Sequence, residues 1–214
     1  MRIWSDSFGD GDRIPAAHAF AAVDTAEHMR WSDNRNPHLA WDEVPNGTES
    51  LLLLCIDGDA PLSGADVNRA DRMLAPAIAR RDFFHWVLID IPPSLRSIAE
   101  GAASAGVTPH GKPDAPLTVA AVDGARHALR QGLNDYTGWF AADPAMAGDY
   151  YGYDGPCPPW NDLHVHHYIF RLYALDEPHL ALEGRFTGAD ALAALHGHIL
   201  DEAQLIGSYT LYRA

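Results

Sequence analysis

A chain of 214 residues with 47% hydrophobic side chains holds core material for one domain, residues 1–214, and needs no second. Its formal charge of -14, with His counted neutral, speaks against a nucleic-acid or anionic-membrane surface. Cys55 and Cys157 make no disulfide framework, no apolar span reaches transmembrane length, and residues 1–15 lack a signal-peptide apolar region, so the expectation is a cytoplasmic protein with no stable membrane insertion.

In chain order, residues 1–50 are turn-rich, with a short strand predicted at 39–41 before the turn Pro45-Asn46-Gly47. The run 51–61, LLLLCIDGDAP, predicts a fully buried strand that leaves the core through Asp57, Gly58 and Asp59. Alternation sends both carboxylates to one side, and Gly58 lets the backbone approach a ligand. The same residues also suit an ordinary strand leaving through a turn. Residues 62–82 predict a polar loop with at most a helical turn. A second strand, DFFHWVLIDI at 82–91, is stopped by Pro92-Pro93.

Residues 98–116 are rich in Gly, Ala and Pro, and 117–122 predict a short strand. The stretch 132–152 reads as a long loop dense in aromatics, including Tyr136, Trp139 and Phe140. A lid, a partner surface and a loop packed on its own core all fit it. A third strand, 164–176, places His164, His166 and Tyr168 on one side and His167 on the other. The last prediction is a helix over 187–205, capped by Thr187 with Asp190 and presenting Leu192, Leu195, Ile199 and Ala203 on one face. Gly207 stops it ahead of a closing strand at 208–213. Strands dominate and the helix comes late, which suits a β-rich sandwich with peripheral helices.

Three features offer chemistry: the pair Asp57 and Asp59, His85 between aromatics, and Gly155-Pro156-Cys157-Pro158-Pro159 followed by His164, His166, His167 and Tyr168. Read as a metal site, these residues supply ligands suited to Zn, Mn or Fe. Read as an anion pocket, His, Tyr and loop amides donate to oxyanions while the carboxylates orient the histidines. Spacing alone does not separate the two. His85 also reads as a hydrogen-bonded core group. Cys157 reads as a nucleophile only if a histidine lowers its pKa, and packing of a small apolar side chain is the favoured account.

Taken together, the segments resemble the phosphatidylethanolamine-binding protein family, in its bacterial Raf-kinase-inhibitor-like branch. The family's Asp-Pro-Asp-x-Pro signature stands here as Asp57-Gly58-Asp59-Ala60-Pro61. Its aromatic-flanked histidine is Phe84-His85-Trp86, leading to Ile91-Pro92-Pro93. Its Gly-Pro-Cys-Pro-Pro and His-Arg-Tyr landmarks are 155–159 and His166-His167-Tyr168, before Tyr173-Ala174-Leu175-Asp176. The order is right, and most of the chain is covered.

The resemblance implies a mainly β fold: two antiparallel sheets in a sandwich with Greek-key connections, short peripheral helices, and a C-terminal helix beside the pocket. It implies a small-anion pocket at Asp57, Asp59, Pro61, His85, Gly155, Pro156, His166 and Tyr168, with a cis peptide before Pro61. No catalytic residue, resident metal or cofactor is expected. Gly58 stands where proline is usual, His167 where arginine is common, and the loops 62–82 and 137–150 are longer than in eukaryotic members. The functional expectation is a non-enzymatic binder of a phosphate-like group, on a phospholipid or a phosphorylated ligand. His85, His166 and Tyr168 would donate to the anion, and Asp57 and Asp59 would polarise them. The expected protein partners are a kinase or a second copy in a homodimer. The alternative is a metal-dependent hydrolase or oxygenase built on the same Asp and His groups.

Overall fold

The computed structural model describes residues 1–121 and 124–213. Its strands are β1 (Arg2–Trp4), β2 (Ala21–Asp24), β3 (His28–Trp31), β4 (Leu39–Asp42), β5 (Ser50–Pro61), β6 (Arg80–Ile91), β7 (Ser97–Ile98), β8 (Gly111–Lys112), β9 (Leu117–Ala120), β10 (Arg126–Gln131), β11 (Asp149–Tyr150), β12 (His166–Leu175) and β13 (Ile199–Tyr209). Two short helices join them, α1 (Tyr136–Trp139) and α2 (Gly188–Ala194). Six strands form the main sheet in the order β13-β12-β5-β6-β10-β9, and every neighbouring pair is antiparallel. A smaller antiparallel sheet runs β1-β4-β7. β2 and β3 form a hairpin, and β8 pairs with β11 in parallel.

The apolar run at the start of β5 is continuous because the strand is covered on both faces. Alternation divides it between two cores. Leu51, Leu53 and Cys55 join Trp86 and Leu88 of β6 and Leu39 and Trp41 of β4 in one core between the two sheets. Leu52, Leu54 and Ile56 point the other way, where Phe84, Val87 and Ile89 meet Ala191 and Leu195. The leucines 51–54 are fully buried, each contributing about 1.5–3 kcal/mol of transfer free energy.

Helix α2 seals this second core. Thr187 and Asp190 form a reciprocal capping box, as predicted. Gly188 lies so close to Phe84 that a Cβ there would come within 2.1 Å of the ring. The helix ends far short of residue 205, however. Gly197, at φ +89°, breaks the helical path, and residues 199–209 become β13, paired with β12 along its whole length. A ladder of that length outweighs the helical spacing of Leu192, Leu195, Ile199 and Ala203. Gly207 and Ser208 belong to this same strand. The helix also packs on the sheet face opposite the cleft described below, because Phe84 and Phe83 point to opposite sides. It is therefore not beside the pocket.

β10 was not foreseen, and of the strand predicted at 117–122 the structure gives β9, with Val122 outside the described residues. The peptide before Pro61 is trans, since no cis bond occurs among the described residues and β5 runs on in extended pairing to Pro61 opposite Arg80. In the aromatic loop Tyr136, Tyr150, Tyr151 and Tyr153 turn inward and only Trp139 stays substantially exposed, so much of it packs on its own core.

Candidate functional site

Two bulges in the β5–β6 ladder shape the candidate site. Cys55 pairs with Trp86 and Ile56 with Phe84, so His85 is the extra residue on β6. Asp57 then pairs with Phe83 and Ala60 with Arg81, so β5 carries one residue too many around Gly58 and Asp59. Bulges re-aim side chains, and here they overturn simple alternation. Asp57 and Ala60 face a cleft; Asp59 does not. Gly58 has negative-φ backbone, and a Cβ on it would only touch Asp82 Oδ1 at 3.8 Å. Gly58→Ala should therefore change unfolding free energy by less than about 0.5 kcal/mol in denaturant titration.

The cleft is open to solvent, has a cavity of about 110 Å³, and is walled by Trp31, Phe83, Tyr136, Trp139, Phe140 and Pro158. That is room for several waters or one small ligand group. Its polar groups are Asp57, His85 and His166 at the floor, with Arg81 and Asn68 also lining it. His85 Nδ1 donates to the Asp154 carbonyl at 2.7 Å, which fixes the tautomer and leaves Nε2 for a ligand. The ring stands edge-on to Tyr136 and Tyr168, with centroids 5.4 and 5.1 Å away. Burial lowers its pKa, although Asp57 and the Asp154 carbonyl work in the other direction. At neutral pH His85 is uncharged, and its Nε2 is an acceptor.

His166 is the opposite case. Its Nδ1 donates to Asp57 at 2.7 Å and its Nε2 to Asp162 at 3.1 Å. Burial disfavours its charge, yet the bonds to the Asp162 and Asp57 carboxylates prevail and raise its pKa to about 9. Asp162, fully buried, also takes a two-pronged pair from Arg80 at 2.5 and 3.0 Å. Burial pushes its pKa up, but the hydrogen bonds from His166 and Arg80 hold it at about 2. Asp57, Asp162, His166 and Arg80 thus form a neutral set of two anions and two cations. Asp162 and Arg80 were missed in the sequence because nothing in their local pattern pairs them.

Of the eight predicted site residues, Asp57, Pro61, His85 and His166 line the cleft. The other four lie off it. Asp59 is turned outward, to His164 and His167. Gly155 is required by close approach, since a Cβ would come within 2.0 Å of the His18 carbonyl, and its own carbonyl accepts from Tyr136 Oη at 2.8 Å. The Pro156 carbonyl is taken by the amides of Phe20 and Ala21. Tyr168 packs under His85, its hydroxyl fully buried and without a partner among the described residues. Cys157 does line the cleft, but burial pushes its thiol to about 12, which removes the nucleophile reading. Behind the floor, Asp154 accepts from Asn34 at 2.7 Å, Asn134 at 2.9 Å and Lys112 at 2.9 Å.

Comparison with known proteins follows this geometry. The family model described as phosphatidylethanolamine-binding protein matches residues 4–210. A UPF0098 protein of Methanothermobacter thermautotrophicus is 32% identical over 209 residues, covering 98% of each chain. The UPF0098 protein YbhB of Escherichia coli is 28% identical over 210 residues, covering 98% of this chain and 100% of its own. Among solved structures, the Chlamydia trachomatis protein CT736, described as a putative homolog of the same kind, superposes with a TM-score of 0.61 at 26% identity, covering 97% of this chain and 95% of that one. Escherichia coli YbcL gives a TM-score of 0.65 at 22% identity, covering 98% and 97%, a likeness of fold alone.

Proposed function

The chain belongs to the phosphatidylethanolamine-binding protein family, and we propose that it is a non-enzymatic receptor for a small phosphate-like anion bound in the cleft between β5, β6 and β12. The observation that carries this reading is Arg81. It lines the cleft and has no ion-pair partner among the described residues, whereas Asp57 is neutralised by His166. An anion entering the cleft meets aromatic walls and a cation that Asp135 feels through space but does not pair with directly. The phosphate group belongs to a phospholipid headgroup or to a phosphorylated ligand, including a phosphorylated side chain of a partner protein.

The role of His85 differs from the expectation of a ready donor. Asp57, Asp135 and Asp154 all face it, yet the buried ring is neutral and its free Nε2 accepts. A phosphate oxygen can bond to that nitrogen only if a proton comes too, on the ring or on the phosphate. Binding therefore takes up a proton, and affinity rises as pH falls, by at most about tenfold per unit. His166 and Asp57 orient one another and hold the floor neutral. His166 has no spare donor.

Calorimetric titration with inorganic phosphate and phosphoethanolamine at pH 6 and pH 8 tests this. Tighter binding at pH 6 is expected. His85→Asn keeps a donor toward the Asp154 carbonyl but cannot titrate, so it should bind more weakly and with the pH dependence flattened. Arg81→Ala should weaken binding by about tenfold or more, as loss of a charge-assisted hydrogen bond does. Unchanged affinity in both variants would refute the reading.

A further inference from the structure

A second cluster lies outside the cleft, and anion binding makes no use of it. The bulge around Gly58 throws the Asp59 carboxylate to the outer side of β5, where it meets two imidazoles. Asp59 Oδ1 is 3.1 Å from His164 Nε2, and Oδ2 is 2.8 Å from His167 Nδ1. Ligand atoms from all three residues lie within 4.8 Å of one another. We infer that Asp59, His164 and His167 form a binding site for a divalent transition-metal ion of the zinc type.

The donor set selects the class of ion. Two imidazole nitrogens and one carboxylate suit zinc, cobalt or nickel, whereas magnesium and calcium prefer oxygen alone. The spacing is close to what is needed. Around a tetrahedral ion with bonds of about 2.0–2.2 Å, ligand atoms stand roughly 3.3–3.5 Å apart. The present contacts are hydrogen-bond distances, so the rings must open by a few tenths of an ångström. They have room, since the His164 side chain is 33% exposed and that of His167 is 52% exposed. The ion displaces the N–H that now bridges each ring to the carboxylate; that proton moves to the other nitrogen of a neutral ring, or to solvent from a charged one. Solvent fills the remaining position.

The carboxylate is also held in place. The His167 amide donates to Asp59 Oδ2 at 2.8 Å, and the Arg80 guanidinium donates to the Asp59 carbonyl at 2.7 Å. Such outer contacts orient a ligand before the metal arrives. A surface cluster elsewhere, Asp176, Glu177 and His198, offers one imidazole and two carboxylates from adjacent residues. It serves as an internal control. The inference is independent of anion binding, because Asp59, His164 and His167 do not line the cleft.

The test uses the full chain, stripped with EDTA, dialysed, and titrated with Zn2+ by calorimetry and with Co2+ by visible absorption. One ion per chain is expected, with the Co2+ spectrum of a low-coordinate nitrogen and oxygen site. His164→Ala and His167→Arg should each weaken Zn2+ binding by more than the roughly 10–100-fold cost of losing an outer-shell partner. His167→Arg removes the imidazole but keeps N–H donors beside Asp59, so the fold should survive, which circular dichroism and thermal melting without metal will check. His198→Ala should leave Zn2+ binding unchanged. The inference fails if the native chain takes up no stoichiometric Zn2+ or Co2+, or if natively folded His167→Arg binds as tightly as the native chain. It also fails if His198→Ala is the variant that loses the ion. Phosphate titration of the metal-free chain is a separate readout, so failure here leaves the cleft reading standing.

Discussion

Asp154→Ala lowers the unfolding free energy by about 3–5 kcal/mol, measured by chemical denaturation, the loss expected when one partner of a buried ion pair is removed. Asp154 is 1% exposed, and its carboxylate gathers donors from three distant parts of the chain. Without it, the Lys112 ammonium keeps only Ser104 Oγ and the Tyr153 carbonyl as partners. Asn134 loses one of its two amide contacts, and so does Asn34. Asp154→Asn keeps the shape and loses the charge, so it should cost less than the alanine variant. Adding Lys112→Met to Asp154→Ala should recover part of the loss, because the stranded cation is gone. Ligand affinity should fall as well, since the Asp154 carbonyl is what holds His85. Lack of any recovery in the double variant would show that the ion pair is not the source of the cost.

The second large effect is a dependence of stability on pH centred on His166. The groups facing it are Asp57 on β5, Asp162 in the preceding loop and Arg80 on β6. Its folded pKa of about 9 lies above the 6.5 of the free side chain. The stabilisation is therefore complete below about pH 6.5 and is lost as pH rises toward 9. Its size is on the order of 3 kcal/mol, at about 1.4 kcal/mol per unit. Asp162 acts in the other direction. Its folded pKa of about 2 lies below 3.8, so its contribution is complete above about pH 4 and is lost as pH falls toward 2. Denaturation midpoints measured in EDTA should thus fall as pH rises from about 6.5 toward 9, and fall again as pH drops below about 4. Asp162→Asn removes one of the two carboxylates on the ring and should flatten the alkaline limb. A midpoint constant from pH 6 to 9 in the native chain would contradict the charged state of His166.

The central strands were legible because burial on both faces leaves an unbroken apolar run, as in residues 51–56. β10 and β13 were not. β10 reads RHALRQ, mostly half-exposed or exposed, and the first half of β13 leaves Ile199 and Leu200 more than 40% exposed. An exposed edge needs no apolar alternation, so the helical spacing of 192–203 misled. In the site, residue types were legible and directions were not. One extra residue opposite Asp82 separates Asp59 from Asp57, and Gly58 inside the strand was the local mark of that bulge. The family resemblance carried the order of motifs, yet it could not place Gly155, Pro156 and Tyr168 behind the floor. The Asp154 network joins residues 34, 112, 134 and 154, a juxtaposition that only the closed fold creates.

Strand order also sets a timetable for synthesis. β5 lies between β6 and β12, so one of its edges is paired by residue 91 while the other waits for residue 166. At about 5–20 residues per second a ribosome takes roughly 4–15 s to cover that interval. Throughout it, LLLLCI offers a row of unpaired amides and carbonyls on a hydrophobic strand, the kind of edge that recruits foreign strands. Yield in the cell should then be governed by how well chaperones shield this nascent hairpin, more than by the stability of the finished protein.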